Sequence, residues 1–246
     1  MPLFVVATPI GNLEDLSFRA LRTLREVDLI AAEDTRRTAK LLAHYEIRRP
    51  LVSLREHNEV RETPRLIARL EKGQSIALVS DPGTPGISDP GARFVRAAHQ
   101  RGIKVIPLPG PSAVAAPLSA SGFPADEFVF MGFPPRGGEA RLEWFARLRE
   151  EERTLVFFES PHRIKRTLTD MQPYLVNRQI MVARELSKVH EQLVISPNSL
   201  LSINDTGEFT IVISPITTRQ VESSTIGDDA VVEIFWRITN TGGFDA

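Results

Sequence analysis

Apolar positions in the first hundred residues fall into short continuous runs separated by amphipathic stretches. Leu3-Phe4-Val5-Val6-Ala7 is apolar throughout and ends at Thr8-Pro9-Ile10-Gly11-Asn12, the pattern of a strand buried on both faces that feeds a turn. Ser17 stands where a helix N-cap belongs, before Phe18, Leu21 and Leu24. The alternation repeats. Residues 28–32 predict a second strand, and Leu41, Leu42 and Tyr45 mark the helix behind it. Residues 50–54 make a weaker third strand, and Thr63-Pro64 predicts the start of a helix bearing Leu66, Ile67 and Leu70. Residues 75–80 form a fourth strand. Asp89-Pro90 then predicts a capped helix start, and residues 104–106 a fifth strand. Strands alternating with helices predict a parallel sheet covered on both faces.

The texture changes at Pro107-Leu108-Pro109-Gly110-Pro111. An Ala-rich helix is expected over 112–120, then strands at 128–131, 155–158, 180–183, 193–195 and 209–213, with strong helical stretches only near 139–151 and 161–172. Strands that follow one another without a helix favour antiparallel pairing. The expected fold is therefore α/β with two α/β domains. Residues 1–111 carry a mostly parallel five-stranded sheet, residues 112–215 a mixed sheet, and residues 216–246 an acidic tail in which 228–238 has the pattern of a short amphipathic helix.

Composition narrows the function classes. The 246 residues contain no cysteine, which excludes disulfides, thiolate metal sites and a cysteine nucleophile, and points to a reducing, cytoplasmic compartment. The first residues are broken too early by Pro and Gly for a signal peptide, and no apolar run is long enough to span a bilayer, so no membrane association is expected. Five histidines show no metal-ligand spacing, and no metal site is expected. The net charge of −1 decides nothing by itself. Residues 1–111 hold 17 Lys+Arg against 13 Asp+Glu, whereas residues 191–246 hold 2 against 8. Arginine outnumbers lysine 25 to 5, a bias that suits phosphate but also arises from a GC-rich genome.

Three Pro- and Gly-rich loops fall at the carboxyl ends of predicted strands, where open α/β sheets bind ligands: 7–12, 80–91 and 107–112. Proline fixes φ and glycine widens it, so such loops can present bare backbone to a ligand; singly, each is equally a tight turn. None is GxGxxG after a first strand or GxxxxGK[ST], which argues against dinucleotide and P-loop sites. Two polar clusters share the same edge, Glu33-Asp34-Thr35-Arg36-Arg37 and Arg55-Glu56-His57-Asn58-Glu59.

The motifs are specific enough to compare with a family. Val5-Val6-Ala7-Thr8-Pro9-Ile10-Gly11-Asn12-Leu13, Asp28 through Arg36, His57-Asn58-Glu59, Ala77 through Asp81 with Gly83-Thr84-Pro85, Pro109 through Ala113, Glu159-Ser160-Pro161-His162-Arg163 and Ala183 through Lys188 resemble the bacterial 16S ribosomal RNA (cytidine 2′-O) methyltransferases of the class III, tetrapyrrole methylase superfamily. The resemblance runs in order from about residue 3 to about residue 213. Pro82 stands where that family usually has Ala, which stiffens the loop, and the tail after Pro215 lacks the expected basic helical extension.

The resemblance implies S-adenosylmethionine as methyl donor, a cofactor cleft between two α/β domains, a homodimer, and 16S rRNA in the 30S subunit as partner. It carries the cofactor-binding role to Pro9, Asp81, Gly83, Thr84, Ser112 and Ala113, and to Phe158, Ala183, Glu208 and Thr210 as walls of an adenosine pocket; Phe158 fits plain core equally well. Removal of the ribose 2′-OH proton needs a base, for which His57, Glu59, Glu33 and Asp34 are the candidates. Arg36, Asn58, His162, Arg163 and Lys188 are candidate contacts to phosphate or sugar. Two alternatives stand beside this reading: a methylase of a tetrapyrrole or other small acceptor, and a non-catalytic S-adenosylmethionine- or ribosome-binding relative.

Overall fold

A computed structural model describes residues 1–175, 177–195 and 204–216. Residues 1–216 pack as one compact unit. The first half builds β1 (Leu3–Val6), α1 (Phe18–Glu26), β2 (Leu29–Ala32), α2 (Thr35–His44), β3 (Leu51–Ser53), α3 (Glu59–Glu71), β4 (Ile76–Val79), α4 (Ala92–Gln100) and β5 (Val105–Leu108). These strands form one parallel sheet in the order β3-β2-β4-β1-β5. Every residue of β2 and β4 is buried, as the continuous apolar runs require of strands covered on both faces. One face packs Leu16, Leu24 and Leu42, and the other Leu66, Leu70 and Phe94.

The second half builds α5 (Ala115–Ala120), β6 (Phe128–Phe130), α6 (Gly138–Glu150), β7 (Thr154–Glu159), α7 (Ile164–Met171), β8 (Ile180–Arg184), β9 (Gln192–Ile195) and β10 (Phe209–Ile213). Its sheet runs β6-β7-β10-β8-β9 and is mixed: β6 is parallel to β7, whereas β10 is antiparallel to both β7 and β8. The expected antiparallel closing strands are therefore present. Trp144 meets Phe157 edge-on at 5.0 Å beneath this sheet, a geometry worth ~1 kcal/mol beyond area burial. Arg178 is buried and donates to the carbonyls of Leu148, Glu151, Arg153 and Ser214, tying the end of α6 to the chain leaving β10.

Three local expectations are corrected. Helix α3 starts at Glu59, not at Thr63-Pro64, because the Asn58 side chain accepts from the Arg55 amide (2.7 Å) and donates to Ser53 O (3.1 Å), which fixes the preceding turn; Pro64 lies inside the helix. Helix α4 starts at Ala92 with Gly91, not Asp89, before it, and its free amides are taken by a distant side chain described below. Phe18 is 92% exposed, and α1 buries Ala20, Thr23 and Leu24 instead. The amphipathic segment expected at 228–238 and most of the 216–246 tail lie outside the described residues.

Candidate active site between the two sheets

The three Pro- and Gly-rich loops meet at the carboxyl edge of the first sheet and are tied to one another. Thr8 Oγ1 donates to Ser80 O (2.7 Å), the Thr8 amide to Gly83 O (3.0 Å), and Thr84 Oγ1 to Pro111 O (3.1 Å). Across the gap, Thr210 Oγ1 at the start of β10 donates to Ala113 O (3.1 Å). These bonds frame a cavity of about 330 Å³. Gly83, Thr84, Ser112 and Ala113 form one wall, Phe133, Phe158, Ser160 and Pro161 the other, and Glu208 and Thr210 close one side. Phe158 meets Phe130 edge-on at 4.9 Å and Phe133 at 5.4 Å, so its ring faces the cavity as part of an aromatic wall.

A second cleft of about 430 Å³ adjoins the first. Ile10, Pro82 and Glu208 line both. Its other walls include Pro9, Gly11, Arg37, Lys40, Asp81 and Lys188. Gly11 is needed here: a Cβ would lie 2.5 Å from Lys188 Cγ, because the loop after β1 rests directly on the loop after β8.

Three carboxylates lie near one another on this sheet edge, of which Asp89 and Asp81 line the cavities and Glu33 lines neither. Burial pushes the Glu33 carboxyl above its usual range, and the neighbouring charges of Asp89 and Asp81 push it the same way. Burial likewise raises Asp81 and Asp89, against the hydrogen bonds that Asp81 accepts from the Asp34 amide (2.9 Å) and Thr38 Oγ1 (2.8 Å). Asp89 faces the first cavity and Asp81 the second. No side-chain hydrogen bond holds Glu33 among the described residues; only its backbone carbonyl is bonded, accepting from Arg55 Nε (2.9 Å).

The other sequence candidates sort by geometry. Asp34 caps α2, accepting from the Arg36 amide (2.9 Å), and that bond holds its carboxyl below the usual range, which leaves it a weak base. Glu59 is committed elsewhere: its Oε1 accepts from the Gly91 (3.0 Å), Arg93 (2.9 Å) and Phe94 (3.3 Å) amides at the start of α4. Its geometry is that of a cap supplied from another helix rather than of a base. His57 is exposed on the turn before α3 and lines neither cavity. Asn58 is spent on the same turn. Arg36 and His162 are exposed. Arg163 pairs with buried Glu159 (2.6 Å) and donates to Pro134 O (3.0 Å), bracing the aromatic wall rather than facing outward. Lys188 lines the second cleft and pairs with Glu185 (2.7 Å) and Glu208 (3.2 Å). Of the ten cofactor candidates, Pro9 and Asp81 line the second cleft, and Ala183 lies fully buried in β8 and lines neither; the other seven line the first cavity.

Sequence reasoning missed Asp89, Phe133, Arg37 and Lys40 as site residues. Asp89 was legible as a helix cap and as part of the 80–91 loop, not as a side chain of the site. Arg37 and Lys40 stand three apart on α2, a spacing that puts both on one face. Among the described residues no cluster of His, Asp and Glu has the geometry to hold a metal ion.

A doubly layered pair of α/β sheets with Pro- and Gly-rich loops lining a cleft between them is the architecture of one class of methylases, and the chain belongs to it: residues 2–200 match the tetrapyrrole (corrin/porphyrin) methylase family. Within that family the similarity is much narrower. The ribosomal RNA small subunit methyltransferase I of Synechocystis sp. is 52% identical over 191 residues, covering 77% of this chain and 68% of the relative. The protein of the same name from Xylella fastidiosa is 48% identical over 233 residues, covering 92% and 85%. Among solved structures, a diphthine synthase superposes with a TM-score of 0.69 at 16% identity, covering 87% of this chain and 90% of that one, a likeness of fold alone.

Proposed function

We propose that this chain methylates the 2′-hydroxyl of a cytidine ribose in 16S rRNA, with S-adenosylmethionine as donor. The observation that carries the reading is the half-identity, over more than three quarters of the chain, to proteins named as small-subunit rRNA methyltransferases. The cavity walled by Phe158 and Phe133 fits that donor: its volume suits a small ligand, the aromatic wall suits a purine face, and Asp89 and Glu208 suit a cation. When bound, the donor supplies a methyl on a sulfonium, which leaves as a neutral thioether.

The residues then have distinct jobs. The loops at 80–91 and 109–114 hold the donor through their backbone, and the rigid Pro82 and Ile10 wall aligns it with the acceptor, where positioning supplies much of the rate. Glu33 takes the 2′-OH proton. Its carboxyl is half-buried, unspent and more basic than an ordinary glutamate, and although it lines neither cavity itself, its charged neighbours Asp89 and Asp81 line one each. Division into an acceptor-bearing domain over 1–111 and a completing domain over 112–215, a homodimeric assembly, the 30S subunit as partner and a cytoplasmic setting belong to the same proposal. No described helix is long and apolar enough to cross a membrane.

The test is transfer from labelled S-adenosylmethionine to undermethylated 30S subunits, naked 16S RNA and a tetrapyrrole, side by side. Label in RNA alone is expected. Label in the tetrapyrrole alone would move the acceptor to the other branch of the family, and donor binding without any transfer would make this a non-catalytic relative.

A further inference from the structure

The second cleft has no assigned ligand, and its charge is unevenly spent. Lys188 is paired with two carboxylates, and Asp81 is bonded to Thr38 and the Asp34 amide. Arg37 gives one guanidinium N–H to Asp81 O at 3.2 Å. Lys40 makes no ion pair or hydrogen bond among the described residues, yet it lines the cleft one helical turn from Arg37. Lys40 is therefore a cation of the cleft with no partner among the described residues, and Arg37, whose charge also acts on Asp81 and Glu33, stands on the same face of α2. That face looks onto the wall of Ile10, Pro82 and Glu208 which the cleft shares with the donor cavity.

Two reactants that exchange a methyl must meet across a short gap, and the shared wall is where these two cavities meet. Resting on the function proposed above, the geometry points to the second cleft as the acceptor side, with Lys40 and Arg37 holding an RNA phosphodiester next to the reacting ribose. Such contacts set the register of the strand and carry no base preference. The carboxylates Asp81 and Glu208 on the same walls disfavour an anion close to them, which directs the phosphate to the α2 side.

The experiment compares K40A, K40E, K40R and R37A with the parent chain. Donor-site affinity is read by calorimetry with S-adenosylhomocysteine, and KM and kcat for undermethylated 30S subunits are read across a salt series. Loss of one single-strand phosphate contact near 0.1 M salt is expected to raise KM about fivefold and to flatten the log–log salt dependence by about 0.7, with K40E larger and K40R close to the parent. Donor-site affinity and kcat are expected to change less than about twofold. An unchanged KM and salt slope in K40E would overturn the inference. So would weakened S-adenosylhomocysteine binding in K40E, since the cleft would then belong to the donor. A parent that binds S-adenosylhomocysteine and never methylates RNA would defeat the proposed function itself, and the acceptor assignment with it.

Discussion

Replacing Glu59 separates its two possible roles. In the structure one carboxylate oxygen accepts three amides, at 3.0, 2.9 and 3.3 Å, where helix α4 begins. No residue of α4 or its N-cap supplies a side-chain cap. In Glu59→Ala those amides lose their acceptor. A lost N-cap costs about 0.5–2 kcal/mol, and a carboxylate at the positive end of a helix dipole adds about 0.3–1 kcal/mol, so a total near 2 kcal/mol is expected. For a folded unit of this size that lowers Tm by roughly 4–8 °C. Glu59→Gln keeps an acceptor oxygen and loses only the charge, so its cost falls to about 0.3–1 kcal/mol. The assay is thermal unfolding at pH 7 by circular dichroism, paired with methyl transfer well below the lower Tm. Glu59→Gln is expected to retain most transfer. An unchanged Tm in Glu59→Ala, with transfer abolished in Glu59→Gln, would refute the cap and return Glu59 to the chemistry.

Other outcomes follow from the same geometry. Glu33→Gln is expected to lower kcat by about 10²–10⁴, the range for a lost general base, and the parent rate should climb as pH rises through the raised Glu33 value. Because the native state holds that proton more tightly than the unfolded chain, stability falls as pH rises from the ordinary glutamate value of 4.5 through the raised one; Glu33→Gln should therefore melt higher than the parent at pH 7, with the gap closing in acid. Gly91 has φ +121°, and a Cβ there would stand 2.7 Å from Leu78 Cδ2, so Gly91→Ala should cost about 1–3 kcal/mol in thermal unfolding. Phe158→Ala removes part of the aromatic wall and should weaken S-adenosylhomocysteine binding about tenfold by calorimetry, with KM for RNA nearly unchanged.

The central strands were legible in the chain because those buried throughout read as unbroken apolar runs: residues 76–79 and 209–213 needed no long-range information. Helix starts were less so. Thr63-Pro64 and Asp89-Pro90 have the local chemistry of N-termini, but Asn58 fixes the turn five residues ahead of the first, and Glu59, thirty-odd residues away in sequence, caps the second. Capping between helices leaves no local signature. The site divides in the same way. The Pro- and Gly-rich loops declare themselves, since special backbone needs special residues, whereas the acidic group of Glu33, Asp81 and Asp89 joins the loop after β2 to the loop after β4 and exists only once those two strands lie side by side. Arg163 shows the converse: its position in a charged motif suggested an outward contact, but the buried carboxylate of Glu159 claims it.

The central claim is the acceptor atom, and nucleoside mass spectrometry reads it directly. 16S rRNA from cells lacking their own small-subunit cytidine 2′-O-methylation would be isolated after expression of this chain and digested to nucleosides. A new 2′-O-methylcytidine, absent when Glu33→Gln is expressed at equal level, is the predicted result. RNA with no such nucleoside, from cells in which the chain is folded and binds S-adenosylmethionine, would contradict it.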